Sequence, residues 1–232
     1  MPGPSIFLVF GATGGTGRHF VSLALEHGHV VRAVVRNPSR LDPDLRKNSN
    51  LHVKQGSVTD EITYLDELVR GTEFVVAMLG DAAARSVSKI NVAFVRDQLV
   101  PALRRKGVKR FLYQAGGLSK PYGAQLPFFL RVLRNTVALS YGGQHADNEA
   151  VMEYLGSQAR DIEWIVHRAG IGSNSGSKGQ LTRSRDKFSV ATLRTALRII
   201  SGSSQAIRMR YTLAIRAITI AEVDACIRWC NE

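Results

Sequence analysis

The run Ile6-Phe7-Leu8-Val9-Phe10 passes without a break into Gly11-Ala12-Thr13-Gly14-Gly15-Thr16-Gly17 and then into an amphipathic helical pattern. A strand that ends in a tight turn and opens a helix at once commits the chain to a βα unit. Glycines at 11, 14 and 17 suit a turn that cradles a dinucleotide phosphate. Gly11 permits the turn out of the strand, Gly14 lets the backbone approach a pyrophosphate, and Gly17 lets the helix pack close to the sheet. The free amides of the first helical turn then hold phosphate oxygens, helped by the positive end of the helix dipole. Gly11, Thr13, Gly14, Gly15, Thr16 and Gly17 are therefore the candidate phosphate-binding residues.

Short β-branched runs go on alternating with longer helical patterns, the signature of repeated βαβ units in a parallel sheet. The predicted strands are Ile6–Phe10, Val30–Val35, Leu51–Gln55, Phe74–Met78, Arg110–Tyr113 and Ile162–His167. The predicted helices are Thr16–Glu26, Thr63–Val69, Val87–Lys106 and Ala146–Ser157, with Gly28, Gly71 and Gly107 placed as helix-ending residues. Pro101 should kink the long helix or mark its last turns, because proline cannot donate the i to i−4 bond. The expected fold is α/β, a doubly wound parallel sheet of the Rossmann type with helices on both faces. A single domain is expected, with a nucleotide-binding core over about residues 5–168 and a small substrate-side region over 169–232. Within that region Gly170–Gly179 reads as a surface loop and Val190–Ile200 as a helix. Thr219-Ile220-Ala221-Glu222 reads as a capping box that opens a last helix ending near Trp229.

With 44% hydrophobic and 22% charged residues in 232, the chain can bury a substantial core and lacks the apolar depletion that marks disorder. The longest apolar stretch outside the strands, Leu126 to Leu139, is broken by Arg131 and Arg134 and is too short to cross a bilayer of about 30 Å. Met1-Pro2-Gly3-Pro4-Ser5 enters a strand at once with no leader pattern, so a cytoplasmic protein without a membrane segment is expected. Cys226 and Cys230 stand four apart with no third ligand nearby; this excludes a disulfide framework and reads as small core residues. The charge of +12 attracts phosphates of some kind. Its late excess, from Arg183 to Arg216, is spread out, with few aromatics and no helix-turn-helix or zinc-finger spacing, so no nucleic-acid partner is expected.

The end of the second strand discriminates between cofactors. NAD enzymes place a carboxylate there for the ribose 2′-hydroxyl, and NADP enzymes place a cation. This chain reads Val34-Val35-Arg36-Asn37-Pro38-Ser39-Arg40, with no acid before Asp42. Arg36 and Arg40 offer two guanidiniums, and Ser39 a hydroxyl, to a 2′-phosphate, so NADP(H) is favoured over NAD(H).

The glycine spacing with Thr between resembles the short-chain dehydrogenase/reductase superfamily. The chain as a whole resembles its atypical members, the NmrA-like and flavin/biliverdin reductase-like group. The resemblance rests on the glycine turn, Arg36, Gly56-Ser57-Val58-Thr59-Asp60, Leu79-Gly80, Gly107-Val108-Lys109-Arg110-Phe111 and Ile218-Thr219-Ile220-Ala221-Glu222-Val223-Asp224. It implies that Ser57 and Val58 flank the adenine, with Ser57 standing where the family usually has Asp. It also implies that Leu79 and Gly80 lie along the ribose and pyrophosphate, and that Gln114, after strand five, borders the cofactor.

Carbonyl-reducing members carry Ser or Thr just after strand five and a Tyr-x-x-x-Lys pair on a later helix. Here the strand is followed by Gln114-Ala115-Gly116-Gly117-Leu118-Ser119, so Ser119 can supply the hydroxyl only if the loop curls back. Tyr141-Gly142-Gly143-Gln144-His145 has the pair's spacing, and Glu149 matches a recurrent acid of the family, but His145 replaces the lysine. A neutral imidazole does not lower a phenol's pKa as an ammonium does. Tyr141, His145 and Ser119 are the candidate catalytic residues: His145 is either the proton donor itself or a satisfied surface histidine, and Tyr141 either the acid or a pocket aromatic. Hydride transfer to a flavin or tetrapyrrole needs mainly proximity, so the missing Ser and Lys argue against a conventional alcohol dehydrogenase but not against a reductase. Pro121-Tyr122, Pro127-Phe128-Phe129 and Leu130 suggest an apolar or aromatic small-molecule substrate; the other reading is that Phe128, Phe129 and Leu133 are helix residues packing on the core. The expected function is an NADPH-dependent oxidoreductase. Two alternatives stay open: a dinucleotide-binding redox sensor of the NmrA kind, and a biosynthetic enzyme using the same pocket for an isomerisation or cyclisation.

Overall fold

A computed structural model describes residues 4–80, 89–136 and 139–169. Its elements are β1 (Ile6–Phe10), α1 (Gly15–Glu26), β2 (Val30–Val35), a 3₁₀ turn (Pro38–Arg40), α2 (Pro43–Arg46), β3 (Leu51–Gln55), α3 (Leu65–Val69) and β4 (Phe74–Ala77). There follow α4 (Ile90–Ala93), a π-helical stretch (Phe94–Leu99), α5 (Val100–Lys106), β5 (Arg110–Gly116), α6 (Phe128–Asn135), a 3₁₀ turn (Leu139–Tyr141), α7 (Gly142–Gln158) and β6 (Glu163–Ala169). The strands form one parallel sheet in the order β3-β2-β1-β4-β5-β6. That is the doubly wound Rossmann order, with its switch point between β1 and β4. The expected surface loop, the two C-terminal helices and both cysteines lie outside the described residues.

Both faces of the central strands are buried, so successive side chains feed two cores. Phe7 and Val9 of β1 join Phe20, Val21 and Ala24 of α1 on one face. Leu8 and Phe10 join Leu68 of α3, Leu99, Leu103 of α5 and Leu155 of α7 on the other. Phe7 stacks on Phe74 and meets Phe20 edge-on, with centroids 5.2 and 5.5 Å apart, which pins α1 over the β1–β4 pair.

Pro101 acts as anticipated, but through a specific device. The long helix runs on from Ile90 to Lys106 and widens to π-type bonding over Phe94–Leu99, just ahead of Pro101, which has no N–H for the usual bond to the preceding turn. β5 runs three residues past its predicted end at Tyr113, because its register with β6 continues from Gln114↔His167 to Gly116↔Ala169. α7 begins at Gly142, four residues before the predicted start, despite a Gly-Gly opening that disfavours helix; burial of Gly143, His145 and Asp147 outweighs that propensity.

Candidate functional site

The glycine turn has the geometry its sequence requires. Gly11 sits at φ +84°, and a Cβ there would overlap the Met78 carbonyl oxygen; a Cβ at Gly17 would overlap the Gly11 carbonyl. A Cβ at Gly14 would meet only the Gly11 oxygen, at 3.3 Å, so its outer side is open for a ligand. Among the described residues no side chain caps α1, whose first amides follow directly on Gly14. Those donors and the helix dipole face a cleft of about 390 Å³ lined by Gly11, Thr13 and Gly14 on one side and by Met78, Leu79 and Gly80 on the other. Gly15, Thr16 and Gly17 stand behind this rim, and Thr16 accepts a hydrogen bond from Gln114 Nε2 at 3.4 Å.

The cleft continues over Val34 and Val35 to Arg36 and Arg40, and past Gly56, Ser57, Val58 and Thr59. None of its described lining residues is acidic. The nearest carboxylate in sequence, Asp42, is occupied as the cap of α2, where it accepts from the Asp44 amide at 2.9 Å. Asn37 holds the intervening turn by accepting from the Ser39 amide and hydroxyl at 3.0 and 2.7 Å. Arg36 and Arg40 are exposed, and neither is ion-paired among the described residues. The Ser57 hydroxyl lies 2.7 Å from Thr59 Oγ1, so it braces its own turn in the place where the family usually has a carboxylate.

At the far end, Ile90 and Asn91 of α4 close the cleft. Their position is fixed from α7: the buried Asp147 carboxylate accepts the Asn91 and Val92 amides at 2.8 and 2.9 Å, capping α4 from another helix. Asn91 Nδ2 is buried with no hydrogen-bond partner among the described residues.

The loop after β5 does curl back. The Ser119 amide donates to the Gly116 carbonyl at 2.9 Å, and the turn buries Ser119 completely with its Oγ 3.3 Å from His145 Nδ1. Asn148, one turn along α7, bridges this pair to β5: its Nδ2 donates to Ser119 Oγ at 3.3 Å, and its Oδ1 accepts from the Tyr113 hydroxyl at 2.7 Å. Burial, reinforced by the Arg134 charge, lowers His145 to about 4, so the ring is neutral at pH 7. Burial pushes the Tyr113 phenol far above its ordinary value, so it stays protonated. Glu149 accepts from the Lys120 amide at 2.6 Å and pairs with Arg134 of α6. Tyr141, half-buried, stands at the start of α7.

The stretch expected to supply apolar surface beside the reactive end folds on itself. Leu118, Leu126, Leu130 and Leu133 form a small separate cluster with Phe129 packed against it, while Phe128 is 74% exposed and the Tyr122 ring lies against Gly156. Tyr113, Asp147 and Asn148 escaped the sequence reading. A usable signal existed for Asn148, a polar residue three before Val151 and seven before Leu155, on the buried stripe of α7.

A doubly wound sheet whose first turn presents open amides to a cleft at the C-terminal strand ends defines a dinucleotide-binding protein. The chain belongs to the NAD(P)H-binding family, whose model matches residues 11–196. This agrees with the resemblance to the atypical short-chain dehydrogenase/reductases. Comparison with curated proteins returned no match. Among solved structures, an ethylated short-chain dehydrogenase/reductase from Veillonella parvula aligns with TM-score 0.59 at 18% identity, covering 90% of this chain and 92% of that one. The same organism's enzyme in complex with NADP aligns at TM-score 0.58, with the same identity and coverage. The yeast methylglyoxal/isovaleraldehyde reductase complexed with NADPH aligns at TM-score 0.50 and 12% identity, covering 69% and 56% of the two chains. Likeness at these identities establishes the shared fold. Among the described residues no helix is long and apolar enough to cross a membrane.

Proposed function

We propose that the protein is an NADPH-dependent oxidoreductase acting on an apolar or aromatic small molecule. The observation that carries this reading is a cleft lined by Arg36 and Arg40 and by no described carboxylate. Two guanidiniums with no ion pair among the described residues suit a 2′-phosphate, whereas a 2′-hydroxyl is held by an acid. The open amides after Gly14 hold the pyrophosphate, and Val34 and Val58 give the adenine apolar walls. The bound cofactor would supply a hydride. The chain's own contribution is to orient that ring and to place a proton source, for which Tyr141, His145 and Ser119 are the candidates. The exposed rings of Tyr122 and Phe128, in the segment that follows Ser119, support an apolar or aromatic substrate.

A buried neutral His145 where the family carries lysine also supports a second reading, a sensor that binds the dinucleotide without turning it over. Calorimetric titration with NADPH and NADH, followed by NADPH oxidation assays against flavins, quinones and enones, separates these. Tighter NADPH binding with turnover upholds the proposal, and tight binding without consumption upholds the sensor. Absence of binding by either nucleotide at millimolar concentration overturns both.

A further inference from the structure

Four buried side chains outside the cleft lining form a directed hydrogen-bond chain, and its direction follows from proton counting. Tyr113 is fully buried, and its phenolic hydrogen goes to Asn148 Oδ1 at 2.7 Å. That acceptor orients the amide, so Asn148 Nδ2 must donate to Ser119 Oγ. Ser119, having accepted that bond, has its own hydrogen left to give, and the atom in reach is His145 Nδ1 at 3.3 Å. A histidine that accepts at Nδ1 and is neutral carries its proton on Nε2. Nε2 is buried and has no hydrogen-bond acceptor among the described residues. A buried donor without an acceptor is costly, and a ligand oxygen at that atom would recover the lost hydrogen bond.

We propose that Tyr113, Asn148 and Ser119 are positioning residues that lock His145 in the Nε2–H tautomer, making it a fixed neutral donor to an oxygen of the bound reactants. The acceptor is either a carbonyl oxygen of the substrate or a ribose hydroxyl of the nucleotide. The donor polarises that oxygen without transferring its proton, since an imidazolate would be left behind; with the Ser119 hydrogen engaged by His145, Tyr141 is the remaining candidate for the proton that completes a reduction. This rests on the dinucleotide-dependent reading of the site, but the tautomer lock is testable in the free protein.

The test is nitrogen-15 NMR of the His145 ring in the whole chain, without ligand, across neutral pH. The expected spectrum shows a single neutral form with the proton on Nε2, in about tenfold excess or more, as one directed hydrogen bond implies. Ser119→Ala and the milder Tyr113→Phe are each expected to let the Nδ1–H form appear; a residue that merely packs would not move the tautomer ratio. A wild-type mixture, or variants with an unchanged ratio, overturns the lock. NADP⁺ is then added alone and together with acetophenone, a ketone that cannot be reduced by the oxidised cofactor. A shift of the Nε2–H signal with NADP⁺ alone assigns the ribose hydroxyl, and a shift only with both assigns the carbonyl. An unmoved signal while calorimetry shows NADP⁺ bound overturns the donor role. Failure of NADP⁺ and NADPH to bind at all removes the dinucleotide reading and the donor role together, and leaves the lock to be judged on the free protein.

Discussion

At the proposed phosphate end of the site the residues in question are seven consecutive positions, Gly11–Gly17, acting through backbone; at the proposed proton end, Tyr113, Ser119, His145 and Asn148 come from segments as much as 35 residues apart and act through side chains. The first kind of site tolerates most chemistry but no added Cβ at two points. The second depends on the order of its donors and acceptors, which the loss of a single hydroxyl breaks. Substitutions at the two ends should therefore fail differently.

The largest effect is expected at the phosphate end. Gly17→Val would drive Cβ into the Gly11 carbonyl; NADPH binding should vanish in calorimetry and thermal unfolding should fall, with an overpacking cost of about 3 kcal/mol or more. If Gly17→Val binds normally, the backbone account of this end is wrong.

At the proton end, His145 gives a pH signature with a definite sign. The unfolded chain takes up a proton near pH 6.5, while the folded ring resists until about 4. The unfolded state thus binds the extra proton between these values, and stability present above pH 6.5 is lost as pH falls toward 4. At about 1.4 kcal/mol per pH unit this amounts to about 3 kcal/mol. Chemical denaturation of His145→Gln should lack that portion of the acid slope.

Arg36→Ala should weaken NADPH by about 10–100-fold and leave NADH within a few-fold, the scale of a charged hydrogen bond. Equal weakening of both would remove the 2′-phosphate assignment. Asp147→Asn retains shape but surrenders one of two amide acceptors, so a loss of about 1–2 kcal/mol is expected in urea unfolding. The smallest effect belongs to the surface. Arg105 and Lys106 hold Asp66 down to about 2, yet these exposed pairs are screened by solvent, so Asp66→Asn should lower the melting temperature only slightly and not at all in high salt.

What could be read in advance follows the same division. The glycine turn, Arg36 at the cleft and the six strands were legible because each depends on contiguous residues whose backbone needs are local. The Ser119–His145 contact was not, since it requires a turn at Gly116–Ser119 whose glycines permit many shapes, and a helix that starts four residues earlier than its propensities indicate. α6 was visible only as apolar residues with an uncertain destination. Its leucines turned out to serve a private cluster, while Phe128, equally apolar, points to solvent. Burial of a particular side chain is a tertiary fact, and composition alone does not rank Leu130 above Phe128.

Asp147 fastens the start of α4, at the mouth of the cleft, to the helix that carries His145. One carboxylate thus rivets the wall of the cleft at α4 to α7, and α7 cannot drift without uncapping its neighbour. The segment from Tyr122 to Asn135 leans on that fixed helix, with the Tyr122 ring against Gly156 and Arg134 paired with Glu149.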